Sequence, residues 1–165
     1  MQKNQEVLNK LKKVTLFLEI KENNEYLSQL TMICKSKNFS KNELIIKEGE
    51  IGGEMYIIFK GAVEVRKKTR AGDDYTVFKS DAEQNFFFGE LALIDDDKRS
   101  ATVMASEDSS FLVISKKAFI KLGNENPEIG LPITRAISQI LAMRLRKTTE
   151  DMLTMFDALV GEMSG

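Results

Sequence analysis

Between Phe88 and Val103 the chain reads Phe-Gly-Glu-Leu-Ala-Leu-Ile-Asp-Asp-Asp-Lys-Arg-Ser-Ala-Thr-Val, a layout suited to holding a small anion. Gly89 has no Cβ, so its backbone can approach a ligand closely or take a positive φ. Leu91, Ala92 and Leu93 are good helix formers, and the spacing predicts a single helical turn whose first N–H groups have no partner inside it. Donors at the positive end of a helix dipole suit a phosphate. Arg99 adds a permanent charge and a planar fork of donors that fits phosphate oxygens two at a time. Glu90 cannot serve the phosphate, because an ionised carboxylate only accepts hydrogen bonds. Its expected role is to hold a hydroxyl, such as one on a ribose. Asp95, Asp96 and Asp97 would repel an anion and read as a solvated loop, not a metal site. After them Thr102 and Val103 return the chain to strand.

Phe88-Gly89-Glu90, Ala92-Leu93 and Arg99-Ser100-Ala101-Thr102 resemble, in order and spacing, the phosphate-binding cassette of cyclic nucleotide-binding domains. That family includes the catabolite activator protein and the regulatory subunit of protein kinase A. The resemblance implies that Glu90 binds the ribose 2′-hydroxyl and that Arg99 binds the cyclic phosphate together with nearby backbone N–H groups. The cassette part of the implied site is Phe88, Gly89, Glu90, Leu91, Ala92, Arg99, Ser100 and Ala101. The family tends to place alanine or serine beside the arginine for cyclic AMP and threonine for cyclic GMP, so Ser100 favours cyclic AMP with cyclic GMP possible. Lys98 stands where many members have proline, a departure that predicts a looser loop.

The 165 residues suggest one domain with a real core. With 24 basic and 25 acidic residues the net charge is −1, so no global field draws the chain to nucleic acid or to an anionic membrane, and neither is expected as a partner. There is no histidine, which removes the usual general base and the commonest metal ligand. Neither an enzyme nor a metal centre is expected. Cys34 is the single cysteine, set in an apolar helical stretch where a buried inert thiol is the expected state. No run of about 18 apolar residues occurs, and Met1–Lys13 is too polar for a signal peptide. The expected compartment is the cytoplasm.

Two periodicities divide the chain. Apolar residues at helical spacing predict an amphipathic helix followed by a tight turn over Gln5 to Leu18, and a second helix over Asn23 to Lys35. Short alternating segments follow at Phe39, Leu44 to Ile46, Met55 to Phe59, Ala62 to Val65, Thr76 to Phe78 and Phe111 to Ile114. Turns are expected at Gly49, Gly52-Gly53, Gly61 and Ala71-Gly72-Asp73-Asp74. The expected fold is α+β: an antiparallel β-roll or jelly-roll barrel flanked by N-terminal helices and a long C-terminal helix. The corresponding boundaries are 1–36 for the N-terminal helices, 37–115 for the roll with its cassette at 88–103, and 116–165 for the C-terminal helices. Alternation through Phe86-Phe87-Phe88 would bury Phe86 and Phe88 together and send Phe87 to the opposite face.

Pro127 and Pro132 punctuate the approach to the last helix, which is expected to run from there to about Val160. Leu141, Leu145, Thr148, Met152, Met155 and Leu159 alternate steps of four and three, the spacing of a two-stranded seam, and a parallel homodimer follows. Arg144-Leu145-Arg146-Lys147-Thr148-Thr149-Glu150 is similar to the central helix of the catabolite activator protein. That similarity implies that Thr148 reaches the base in its own subunit and Thr149 the base across the dimer. No helix-turn-helix follows before Gly165, so a DNA-binding role is not expected. The resulting expectation is a dimeric cyclic AMP receptor acting on an unidentified downstream protein. The alternative is a dimeric scaffold that keeps the fold without binding.

Overall fold

The computed structural model describes residues 2–69 and 72–163; Ala71, the first residue of the expected 71–74 turn, lies outside them. Two helices, α1 (Gln2–Leu11) and α2 (Asn24–Ile33), come first. Eight strands follow among the described residues: β1 (Lys35–Phe39), β2 (Leu44–Ile46), β3 (Glu54–Lys60), β4 (Ala62–Lys68), β5 (Asp74–Asp81), β6 (Phe87–Phe88), β7 (Thr102–Ala105) and β8 (Ser109–Ser115). Helices α3 (Lys116–Glu125) and α4 (Pro127–Met163) complete the α+β roll that the two periodicities predict.

The strands form two antiparallel sheets, ordered β1-β8-β3-β6 and β2-β7-β4-β5. Period-2 alternation gives the first sheet two buried faces. Met55 and Ile57 on β3, with Leu112 and Ile114 on β8, pack against Leu11, Phe17, Leu27 and Leu30 of the helical layer. Tyr56, Ile58, Phe111 and Val113 point the other way, into the roll, where they meet Val63, Val65 and Val103 of the second sheet. The aromatic triplet follows the same rule. Phe88 and the partly buried Phe86 join the interior of the roll, while Phe87 joins the cluster under the helices. Phe87 is therefore on the opposite face, as alternation requires, and that face is also buried.

The first segment is a helix followed by a tight turn, as predicted, with the helix ending at Leu11: Lys13 and Val14 donate to Lys10 and Leu11 carbonyls, tightening the last turn, and Val14 is extended at φ −76°, ψ 127°. Val14, Leu16 and Phe17 are still buried, so their apolar spacing reflects packing around a short 3-10 turn (Thr15–Phe17). The second helix starts as predicted, with the Asn23 side chain accepting the Glu25 and Tyr26 N–H groups. It ends at Ile33, because Cys34 is extended and Lys35 pairs with Val113 as the first residue of β1. Burial pushes the Cys34 thiol up to about 12, which keeps it un-ionised and inert.

The last helix begins earlier than expected. Pro127 is its first residue, where a missing N–H is harmless, and Pro132 lies inside it. Only the Glu128 carbonyl loses its donor to Pro132, and Glu128 is exposed. At 37 residues the helix is about 55 Å long at 1.5 Å per residue. Ile129, Ile133 and Ile137 are buried against the body, and from Ala142 through Gly161 every residue is exposed. Among the described residues no helix is long and apolar enough to cross a membrane, and no group of three or more acidic or cysteine side chains is placed to hold a metal ion.

Candidate functional site

Gly89 adopts φ +74°, the left-handed conformation that glycine takes without cost, and turns the chain out of β6 into a 3-10 turn over Glu90–Leu93. Its carbonyl accepts the Ala92 N–H at 3.1 Å. The N–H groups of Glu90 and Leu91 open the turn and have no partner within it. Ala92 and Leu93 anchor the turn in the core and the Glu90 side chain is buried with them.

Arg99 lies against this turn in a slot made by two glycines. A Cβ at Gly52 would stand 2.5 Å from Arg99 Nε, and one at Gly89 would stand 2.7 Å from Nη1. Within the slot Nη2 donates to the Glu54 carbonyl at 2.6 Å and Nη1 to the Gly89 carbonyl at 3.3 Å. Backbone bonds fix the loop around it: Arg99 N–H donates to Glu50 O at 2.8 Å and Gly49 N–H to Arg99 O at 2.9 Å. Lys98 pairs with Ile51 in an isolated bridge. Burial lowers the Arg99 pKa, with Tyr56, Glu54 and Glu90 acting in the opposite direction. An arginine starts so high that it stays charged.

A polar network lies beneath the guanidinium. Lys37 Nζ donates to the two oxygens of Glu54 at 2.8 and 2.7 Å, and the Tyr56 hydroxyl donates to the same carboxylate at 2.7 Å. Burial pushes the Glu54 carboxyl up, but the hydrogen bonds from Lys37 and Tyr56 outweigh it and hold it below its usual range. Burial and the Glu54 hydrogen bond raise the Tyr56 pKa, so its phenol stays protonated. The Tyr56 ring stacks on Phe88 with centroids 5.3 Å apart, joining this network to the residue before Gly89.

These elements bound a cavity of about 460 Å³, within the roughly 300–1,000 Å³ of small-molecule sites. The eight cassette residues named from the sequence, Phe88, Gly89, Glu90, Leu91, Ala92, Arg99, Ser100 and Ala101, all line it. Asp95, Asp96 and Asp97 are exposed and Asp96 pairs with Lys116 at 2.7 Å, but Asp95 and Asp97 also line the cavity, so the loop does not turn wholly away from it. Thr148 and Thr149 are exposed on α4 and do not line the cavity. The Thr149 hydroxyl donates to the Leu145 carbonyl at 3.0 Å. The residue that α4 does contribute is Arg144, whose Nη1 donates to Glu90 Oε1 at 2.5 Å. Thr148 lies one turn beyond Arg144 on the same helix face. A carboxylate has two oxygens and several lone pairs, so Glu90 can accept a hydroxyl beside Arg144.

Sequence reasoning missed Arg144, Gly52 and Lys67, all three at the site. Gly52 was legible only as a turn residue. Lys67 follows Val63 and Val65 by alternation on the inward face of β4 and lines the mouth of the cavity. Arg144 was in view as part of the helix motif, but nothing local indicates that it meets a glutamate 54 residues away.

The family model described as a cyclic nucleotide-binding domain matches residues 36–126. The chain belongs to this family. The match in this cyclic nucleotide-binding domain takes in the roll, the cassette and α3, and stops before α4. Mouse cGMP-dependent protein kinase 2 is 34% identical over 118 residues, covering 71% of this chain and 15% of the relative. The cAMP-dependent protein kinase regulatory subunit of Mycosarcoma maydis is 36% identical over 91 residues, covering 52% of this chain and 17% of the relative. The chain thus spans about a sixth of the length of these curated relatives. A cyclic nucleotide-binding domain from Methylobacillus flagellatus has the same fold at a TM-score of 0.76 and 26% identity, covering 92% of this chain and 83% of that one.

Proposed function

We propose that this chain is a cyclic nucleotide receptor with a preference for cyclic AMP, and that it performs no chemistry of its own. The observation that carries the reading is Arg99. Its guanidinium is lodged between two glycines and bonded only to carbonyl oxygens, so its charge faces the cavity without a carboxylate partner among the described residues. A cyclic phosphate accepts from that fork and from the N–H groups of the Glu90–Leu93 turn. The ribose 2′-hydroxyl donates to Glu90, and Arg144 carries that contact to α4.

Ligand binding shifts the equilibrium between packings of α4 on the roll only by its differential affinity for them. The Glu90–Arg144 pair makes such a difference available. The a/d stripe from Leu141 to Leu159 joins two copies as a parallel homodimer, with an unidentified downstream protein reading the helix. A lone cysteine and a ligand produced inside cells suit the cytoplasm.

Preference for adenine rests on Ser100 beside the arginine and on hydroxyls one turn past Arg144. Thr148 reaches the base of its own subunit and Thr149 the base across the dimer. Thr148→Val is expected to reduce the preference for cyclic AMP over cyclic GMP severalfold with little change in total affinity. Paired displacement titrations on the wild type and the variant measure this, and an unchanged ratio would return Thr148 to the seam alone.

The glycine slot gives a further test. Gly52 is outside the positive-φ region, so its backbone accommodates alanine, but the added Cβ displaces the Arg99 side chain. Gly52→Ala is expected to weaken cyclic nucleotide binding severalfold or more while lowering Tm by less than about 4 °C, the shift for roughly 1 kcal/mol at this size. Titration and a thermal melt on the same sample check both, and unchanged binding would show that Arg99 does not depend on the slot.

A further inference from the structure

The consecutive aspartates after the cassette turn do not all face the same way. Asp96 meets α3, where Lys116 neutralises it. Asp95 and Asp97, one residue to either side, line the cavity, and neither has an ion-pair partner among the described residues. The backbone holds both carboxylates: Asp95 Oδ1 accepts the Asp96 N–H and Asp97 Oδ1 the Lys98 N–H, each at 2.7 Å. The loop itself is fixed at both ends, because the Asp95 N–H donates to the Leu91 carbonyl at 2.8 Å and the Arg99 N–H to that of Glu50. Two uncompensated negative charges thus stand on the cavity wall, between the turn whose N–H groups suit a phosphate and the arginine that suits it as well.

With Arg144 paired to Glu90, the charged side chains left on that wall are Lys67, Lys98 and Arg99 against Asp95 and Asp97, one positive charge in excess. A cyclic nucleotide carries one negative charge, because its phosphate is a diester with a single ionisable oxygen. The phosphate of an open-chain 5′-monophosphate is a monoester with a second ionisation at about pH 6, so it carries about −1.5 to −2 at pH 7. The first ligand charge neutralises the excess at Arg99. Any further charge meets a wall with no net positive charge left and two carboxylates beside the phosphate, and like charges brought together repel.

We propose that Asp95 and Asp97 are specificity-determining residues, which make the pocket select singly charged cyclic phosphates and reject open-chain nucleotides. The inference rests on the receptor reading and deepens it. Arg99 and the turn attract an anion, and the two carboxylates set how much charge that anion can carry. Specificity is a difference of affinities, and a repulsive element serves it by weakening the wrong ligand more than the right one. That accounts for acids at an anion site, where attraction alone would exclude them.

Competition titrations against labelled cyclic AMP test this, with cyclic AMP, 5′-AMP and the 5′-methyl phosphodiester of adenosine as competitors, on the wild type and on Asp95→Asn/Asp97→Asn. Asparagine keeps the side-chain oxygen that accepts the Asp96 and Lys98 N–H groups and removes only the charge. The methyl diester has the open ring of 5′-AMP but the single charge of cyclic AMP, so it separates charge from ring shape. The double variant is expected to gain roughly three- to tenfold in affinity for 5′-AMP beyond its gain for the two singly charged ligands. That difference should shrink as salt rises, and an unchanged Tm verifies the variant's fold. A gain for 5′-AMP no larger than that for cyclic AMP would overturn the proposal and leave the receptor reading standing. An equal gain for 5′-AMP and the methyl diester would do the same, since ring shape and not charge would then be sensed. Protein that binds neither the label nor any competitor would overturn both.

Discussion

Arg99→Ala is expected to weaken cyclic nucleotide binding at least tenfold. A hydrogen bond to a charged group contributes about 1.5–3 kcal/mol, and 1.4 kcal/mol is a factor of ten in affinity. Arg99 offers more than one such donor to a phosphate. The substitution also removes the charge that the Gly52–Gly89 slot and the Glu54 carbonyl exist to position. Glu90→Ala should cost less, because a neutral hydroxyl loses one acceptor while the phosphate contacts persist. Calorimetric titration of both variants against the wild type gives the ranking. Intact affinity in Arg99→Ala would remove the proposed pocket from consideration.

The largest expected loss of stability is at Gly61, which turns β3 into β4 at φ +87°. A Cβ there would stand 2.2 Å from Ser109 Oγ and 2.8 Å from the Ser109 Cα. Ser109 cannot give way, because it is buried and its hydroxyl accepts the Ala62 N–H at 3.1 Å and donates to the Glu107 carbonyl at 2.8 Å. Left-handed backbone costs an alanine about 1–2 kcal/mol, and overpacking adds about 1–3 kcal/mol. Gly61→Ala should therefore lower unfolding free energy by about 2–5 kcal/mol, a large part of the roughly 5–15 kcal/mol typical of a folded chain. Urea unfolding followed by circular dichroism measures it, and a loss under about 1 kcal/mol would mean that the turn relaxes without strain.

What the sequence made legible was local chemistry and alternation. Gly89, the turn after it and Arg99 form one short segment whose donors act on the same spot, so residue types alone indicated an anion. The alternation through Phe86, Phe87 and Phe88 put Phe87 opposite its neighbours, but that its face is a second buried core depends on the helices that cover it. Features decided by distant contacts were not legible. Leu11 ends its helix although the apolar spacing continues, because Val14, Leu16 and Phe17 are buried in a different conformation. Pro132 is accommodated inside α4, where it leaves the carbonyl of the exposed residue Glu128 without its helical donor. Arg144 joins the site only because α4 crosses over Glu90.

The central claim is that this fold binds a cyclic nucleotide at Arg99 and Glu90. Calorimetric titration of purified protein, stripped of any co-purified nucleotide, with cyclic AMP and then cyclic GMP tests it most directly. The account predicts saturable binding near one nucleotide per chain, tighter for cyclic AMP. Folded, stripped protein that binds neither would contradict it and leave a non-binding scaffold built on the long helix.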